Sequence, residues 1–230
     1  MAVVLAASGM ARGYGSTGGV PGEPGGGTSP PASDSAQAPA APAARAARRG
    51  DVSSGDSLAL PAVPPIEPTG VETVTAADLA LLASEVAMPL DGIEASSLRS
   101  NYDEARGGGT REHRALDIMA PRGTPVRSVA KGRVLKLFTS VAGGLMVYAA
   151  DSSERFILMY AHLDGYAPGL REGAALARGQ VIGTVGSTGN ASPSAPHLHF
   201  AIARSADVTA WSKGMPIDPL PVLQAAGRRR

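Results

Sequence analysis

The chain has 230 residues, a net charge of +1 and no cysteine, with 43% apolar, 18% charged and 4% aromatic residues. That length suits one or two domains, and the near-neutral charge argues against general nucleic-acid binding, which needs a concentrated basic face. The absence of cysteine excludes disulfides, thiolate ligands and a thiol nucleophile, so any transition metal must be held by His, Asp or Glu.

Residues 2–7, AVVLAA, followed by Ser8 and Gly9, look like the tail of a secretory signal without its basic leading segment. Leu5-Ala6-Ala7-Ser8 is near a lipoprotein cleavage box, but Ser8 stands where the lipid-bearing cysteine would be. Residues 1–70 hold 12 Gly, 10 Pro and 15 Ala, with Tyr14 the single aromatic. Such a segment buries too little apolar surface to offset the entropy of ordering. It is expected to be a disordered, partly polyproline-like tether. No apolar run of about 18 residues encodes a transmembrane helix.

At Thr75 the texture changes. TAADLALLASEVAM offers Thr75 as N-cap, Asp78 three residues later, and an apolar stripe of Leu79, Leu81, Leu82 and Val86. A short helix is predicted within 71–87, stopped before Pro89. From residue 88 the pattern is β, with apolar segments at 115–120, 125–129, 132–138, 144–150, 155–163, 180–186 and 198–204. Turn signals such as Gly143-Gly144 and Asp164-Gly165 separate them. No long amphipathic helix intervenes, so an antiparallel, mostly-β domain over 88–222 is predicted. Residues 223–230, ending in Arg228, Arg229 and Arg230, read as a solvated basic tail.

All four histidines fall in the β region. His113 precedes Asp117 by four residues in EHRALD, a spacing that puts both on one side of a helix or of a strand. Taken alone, that pair also fits a loop histidine and a turn aspartate, although a carboxylate between Leu116 and Ile118 needs a partner. His162, in MYAHL, shares a strand face with Tyr160 and by itself reads as a hydrogen-bonded core histidine. His197 and His199, in PHLHF, point to one side of a strand while Leu198 turns into the core. Together they allow two His and one Asp as metal ligands with an open fourth position, the arrangement of a catalytic zinc site. Two histidines remain for proton transfer.

HRALD, MYAHL and PHLHF, in that order, resemble the three signature blocks of the lysostaphin-type (LytM-like) metallo-endopeptidases of peptidoglycan. APRGTPVRSVAKGRV and EGAALARGQVIGTVGSTGNASP between them resemble the family's intervening segments, and the likeness covers residues 88–222. The resemblance implies a small antiparallel β-sheet groove domain, duplicated-hybrid-motif-like, behind a short helix and a tether. It implies Zn2+ held by His113, Asp117 and His199, with His162 and His197 as the catalytic pair acting on a zinc-activated water. It also implies peptidoglycan peptides as partners, with cleavage of stem or cross-link bonds. One departure is Ala115, where the family commonly has glycine. Gly107 to Gly109 read as an ordinary flexible loop.

Two other classes compete. A non-catalytic fold relative would bind peptidoglycan or activate an amidase, but it would lack ligands that are all present here. A lipoyl-like or phosphocarrier domain would need a hairpin-tip lysine, or would have no use for the His113–Asp117 block. The expected setting is the periplasm or cell envelope of a bacterium, after export, with membrane proximity through the N-terminus. The expected state is a monomer without nucleic acid. A diaminopimelate–D-alanine stem is preferred over a polyglycine bridge because no lysostaphin-like wall-binding domain is appended.

Overall fold

The structure, a computed structural model, describes residues 66–67 and 73–229. The expected tether and export signal lie outside the described residues, apart from Ile66 and Glu67. Those two are docked: the Glu67 N–H donates to the Ser212 carbonyl at 2.7 Å, and the Gly214 N–H donates to the Glu67 carbonyl at 3.0 Å.

Helix α1 spans Ala76–Glu85 and starts in a capping box. Thr75 Oγ1 accepts from the Asp78 N–H at 3.1 Å, and Asp78 Oδ2 accepts from the Thr75 N–H at 2.9 Å. Each satisfies an amide that the first turn would leave unpaired. Asp78 is buried and ion-paired with Arg155 and Arg204, which ties the helix to the sheet. The helix ends four residues before Pro89, with Val86 extended, because the sheet region takes the chain over: the Ala87 N–H donates to the Val129 carbonyl at 2.8 Å. Leu82 and Val86 are buried, whereas Leu79, expected in the same stripe, is exposed.

The seven predicted strands form as β3 (Leu116–Met119), β4 (Pro125–Arg127), β5 (Gly132–Ser140), β6 (Gly144–Asp151), β7 (Phe156–Tyr166), β9 (Val181–Val185) and β10 (His197–Arg204). Four short strands join them: β1 (Ala105–Arg106), β2 (Arg111–Glu112), β8 (Ala175–Leu176) and β11 (Met215–Ile217). The main sheet runs β11-β10-β7-β6-β5-β8, with β3 on β10 and β9 bridging β7 and β4. Every pairing between these strands is antiparallel. Helix α2 (Pro219–Gly227) follows, capped by Asp218. It corrects the expected tail: Leu223 and Ala226 are buried, so the chain beyond 222 continues into the core as an amphipathic helix before its arginines.

The strands bury both faces. Phe156, Leu158 and Tyr160 enter one apolar cluster with α1, α2, Leu198 and Phe200. Ile157, Met159 and Ala161 enter a second with Met146, Tyr148 and Ala201. The period of two decides which β10 side chains reach the second face, where His197 and His199 lie. Among the described residues no helix is long and apolar enough to cross a membrane.

Thr75→Ala removes one half of the capping box. It is expected to cost about 1 kcal/mol of stability, seen as a lower urea midpoint at unchanged m, with metal binding unaffected.

Candidate metal centre

The centre begins as a cross-strand pair. In the β3–β10 ladder His199 stands opposite Asp117, and His197 opposite Met119. Leu116 and Ile118, like Leu198 and Phe200, turn to the main core, so Asp117, His197 and His199 share the other face. His113 reaches them from the loop before β3. His113 Nε2, Asp117 Oδ1 and His199 Nδ1 form a triangle 3.0 Å on each side. That is the scale of one face of a tetrahedral site with ligand bonds of about 2.0–2.2 Å.

The surroundings fix which atoms face inward. His113 Nδ1 lies 2.9 Å from the Asn101 carbonyl, which can only accept, so Nδ1 carries the proton and Nε2 presents a lone pair. Asp117 is divided between two tasks. Oδ1 faces the histidines, while Oδ2 accepts from Asn101 Nδ2 at 3.1 Å and from Arg106 Nη2 at 2.9 Å. Asn101 Oδ1 also accepts from the Asp117 N–H at 3.1 Å. Burial alone would raise Asp117, but the His113 and His199 imidazoles beside it outweigh burial and hold the carboxyl well below its ordinary range. Burial lowers His199, against the pull of Asp117.

His162 arrives by a different device. Strict alternation would put it beside Tyr160 in the main core, as the sequence suggests. Between β6 and β7, however, Leu145 pairs with Leu163 and Val147 with Tyr160, so Ala161 and His162 together oppose Met146. This β-bulge, with His162 at φ 60°, turns the ring to the opposite face. A left-handed backbone is costly for a residue with a Cβ, and specific contacts hold it. The His162 N–H donates to the Gly143 carbonyl at 2.8 Å, and Nδ1 donates to the Thr188 carbonyl at 2.8 Å. Burial pulls His162 down to about 4, aided by His199 and His197 and opposed by the Thr188 bond. His197 Nδ1 donates to the Ala195 carbonyl at 2.9 Å, and its Nε2 stands 3.8 Å from Asp117 Oδ1. The His162 and His197 rings meet edge to face, 4.9 Å between centroids. All four histidines and Asp117 line one cleft of about 250 Å³.

Residues 111–219 match the model of Peptidase family M23. This stretch is an M23 peptidase domain. The L-Ala–D-Glu endopeptidase of Bacillus subtilis is 37% identical over 147 residues, 61% of this chain and 44% of that protein. Lysostaphin of Staphylococcus simulans is 31% identical over 116 residues, 50% of this chain and 22% of that protein. The chain therefore spans less than half the length of these two curated relatives. The solved catalytic domain of lysostaphin from Staphylococcus simulans is 26% identical, with 56% of this chain and 95% of that one covered at a TM-score of 0.47.

The donor set of the M23 domain suits a divalent ion. Three electron-pair donors converge, and His113 has no proton to place between them. His199 Nε2 is buried without a hydrogen-bond partner, so a neutral His199 leaves one ring nitrogen unsatisfied in either tautomer. A cation at the triangle would take the inward lone pairs of His113 Nε2, Asp117 Oδ1 and His199 Nδ1, and would fix the His199 proton on Nε2. All five residues singled out in the sequence are brought together. Sequence reasoning missed Asn101, Arg106 and Thr188. Asn101 lies in an irregular stretch, Arg106 in a strand of only two residues, and Thr188 acts through its carbonyl, which no residue type signals. Ala115 proves accommodated: it is fully buried in the second cluster, and the left-handed residue is Arg114, at φ 55°.

Asn101→Ala removes one of the two donors to Asp117 Oδ2 and the acceptor of the Asp117 N–H together. Metal affinity is expected to fall about 10- to 100-fold, measured by chelator competition. In the metal-free protein the His162 ring is expected to titrate near pH 4 by NMR. The sign follows from a folded value below the unfolded value of about 6.5. The stability His162 contributes is complete above about 6.5 and lost as pH falls towards 4. A midpoint near 6.5 would show that the ring is not buried as described.

Proposed function

We propose that the M23 domain is a zinc-dependent endopeptidase that hydrolyses peptide bonds in the stem or cross-link peptides of cell-wall peptidoglycan. The observation that carries this reading is the convergence of His113, Asp117, His162, His197 and His199 in one cleft. His113 Nε2, Asp117 Oδ1 and His199 Nδ1 would hold the ion. When bound, zinc supplies Lewis acidity, which acidifies a water and polarises a carbonyl.

The remaining steps belong to the chain. His162 is neutral near pH 7, its Nδ1 proton is committed to Thr188, and its Nε2 is free to accept a proton from the attacking water. The proton taken at Nε2 can pass to the leaving amine. His197, fixed as the Nδ1–H tautomer by Ala195, offers a second Nε2 for proton transfer on the same face. Arg106 and Asn101 keep the second Asp117 oxygen occupied, so the carboxylate presents one oxygen to the centre. The named activities of the Bacillus and Staphylococcus relatives support peptidoglycan peptides as substrate. A peptidoglycan substrate supports a setting in the bacterial cell envelope.

The test uses the full chain with purified sacculi, with and without chelator, followed by mass analysis of released fragments. Zinc-dependent release of peptides is the expected result. His199→Ala is expected to lose the metal. His162→Ala is expected to keep it while turnover falls about 10²- to 10⁴-fold. Activity that survives complete zinc removal would sink the mechanism. A zinc-loaded protein that binds sacculi without cutting them would identify a binding module instead.

A further inference from the structure

We propose that Arg111 forms a carboxylate-binding subsite in the cleft, so that the peptide bound beside the His/Asp cluster carries a free carboxylate next to the bond presented to it. This rests on the endopeptidase reading and specifies its substrate. The first observation is a charge left over. The 101–114 segment carries Asp103, Glu104 and Glu112 against Arg106, Arg111 and Arg114. Arg114 pairs with Asp103 and Glu112, and Arg106 pairs with Glu104 and Asp117. Every acid is thereby matched, and among the described residues Arg111 has neither ion pair nor hydrogen-bond partner.

The second observation is placement. In the β1–β2 hairpin Arg111 stands directly opposite Arg106. Like charges facing each other across a ladder destabilise it. Glu104 and Asp117 neutralise Arg106, so an anion at Arg111 would relieve what remains. The hairpin is set against the centre by two backbone bonds: the His113 N–H donates to the Glu104 carbonyl at 2.9 Å, and the Arg114 N–H to the Tyr102 carbonyl at 2.8 Å. Arg111 is two residues from His113 along this extended stretch. Both line the cleft, whereas Glu112 between them does not.

The third observation is the character of the cleft. Among the described residues lining it, Asp117 is the only carboxylate, and both its oxygens are engaged. Asn190 and Ser192 also line it and are neutral. A planar guanidinium with all its N–H groups free is the donor best matched to a carboxylate, which it can grip with two parallel bonds. Stem peptides containing diaminopimelate offer three such groups: the α-carboxylate of a γ-linked glutamate, the free side-chain carboxylate of diaminopimelate, and the carboxylate of a terminal D-alanine.

The test is calorimetric binding of L-Ala–γ-D-Glu–diaminopimelate–D-Ala to the zinc-loaded full chain, in a His162→Ala background so that peptide is not consumed. Four forms are compared: the free acid, the glutamate α-carboxamide, the diaminopimelate side-chain carboxamide and the C-terminal amide. The free acid is expected to bind about tenfold tighter than one amide, and that amide identifies which carboxylate Arg111 holds. Adding Arg111→Gln is expected to erase the difference while leaving affinity for the amide unchanged. Equal binding of all four forms by the Arg111 protein overturns the proposal, whether or not the variant folds. So does a preference for the acid that persists in Arg111→Gln. Hydrolysis by the zinc-loaded wild-type chain is scored separately. If Arg111-dependent preference is seen without any hydrolysis, the endopeptidase reading fails and the subsite stands.

Discussion

The contact between the Asp117 carboxylate and the His199 imidazole is a cross-strand pair, placed by the register of β3 on β10. Register in a two-faced sheet is set by what the opposite face buries. Leu116, Ile118, Leu198 and Phe200 alternate with the polar residues and are completely buried. A slip of one residue would turn all four outward and the ligands inward. At about 1.5–3 kcal/mol for each large side chain, the slip costs on the order of 6 kcal/mol or more, comparable with the whole stability of a small domain. The centre is therefore aligned by residues that never touch it. Polar groups then refine the alignment: the carbonyl of Asn101 sets the His113 tautomer, and Asn101 and Arg106 hold one Asp117 oxygen away from the histidines.

His162 shows the opposite strategy. Its place is obtained by breaking the alternation that places the others, through an extra residue in β7 and a left-handed backbone. The cost is concentrated at one residue, and the contacts that hold it come from two turns remote in sequence, at Gly143 and Thr188. Asp117 and His199, proposed as ligands, and His162, proposed as catalyst, are thus secured by different physics, regular pairing for the first two and a supported irregularity for the third. Damage to the support of His162 can spare the ligand triangle.

The seven main strands and α1 were legible because each has a clear period and clear punctuation. The residues of the centre were legible because few side-chain types can hold a metal. The short strands β1, β2, β8 and β11 span only two or three residues, too few to display a period. Helix α2 was hidden behind its arginines, although Asp218 and Pro219 announce an N-terminus by chemistry that could have been read. The face of His162 was misread for a physical reason. Period two predicts its neighbour as Tyr160, and a bulge is set by long-range pairing rather than by local composition. Ala115 ran the other way: the departure from the family pattern fell beside the strained position instead of on it.

The two walls of the cleft differ in how freely they can change. On one side Gly144 and Gly189 meet backbone to backbone. A Cβ on Gly144 would lie 2.1 Å from Thr188 Oγ1, and one on Gly189 would lie 2.3 Å from the Gly144 nitrogen. Those turns are interlocked, so neither can gain a side chain, or alter its path, without moving the other and the carbonyl behind His162. The β1–β2 hairpin on the other side carries exposed residues at Arg111 and Glu112. Diversification of what the cleft accepts is thereby channelled to one wall: the hairpin can be rewritten to suit a new peptide while the interlocked side preserves the chemistry.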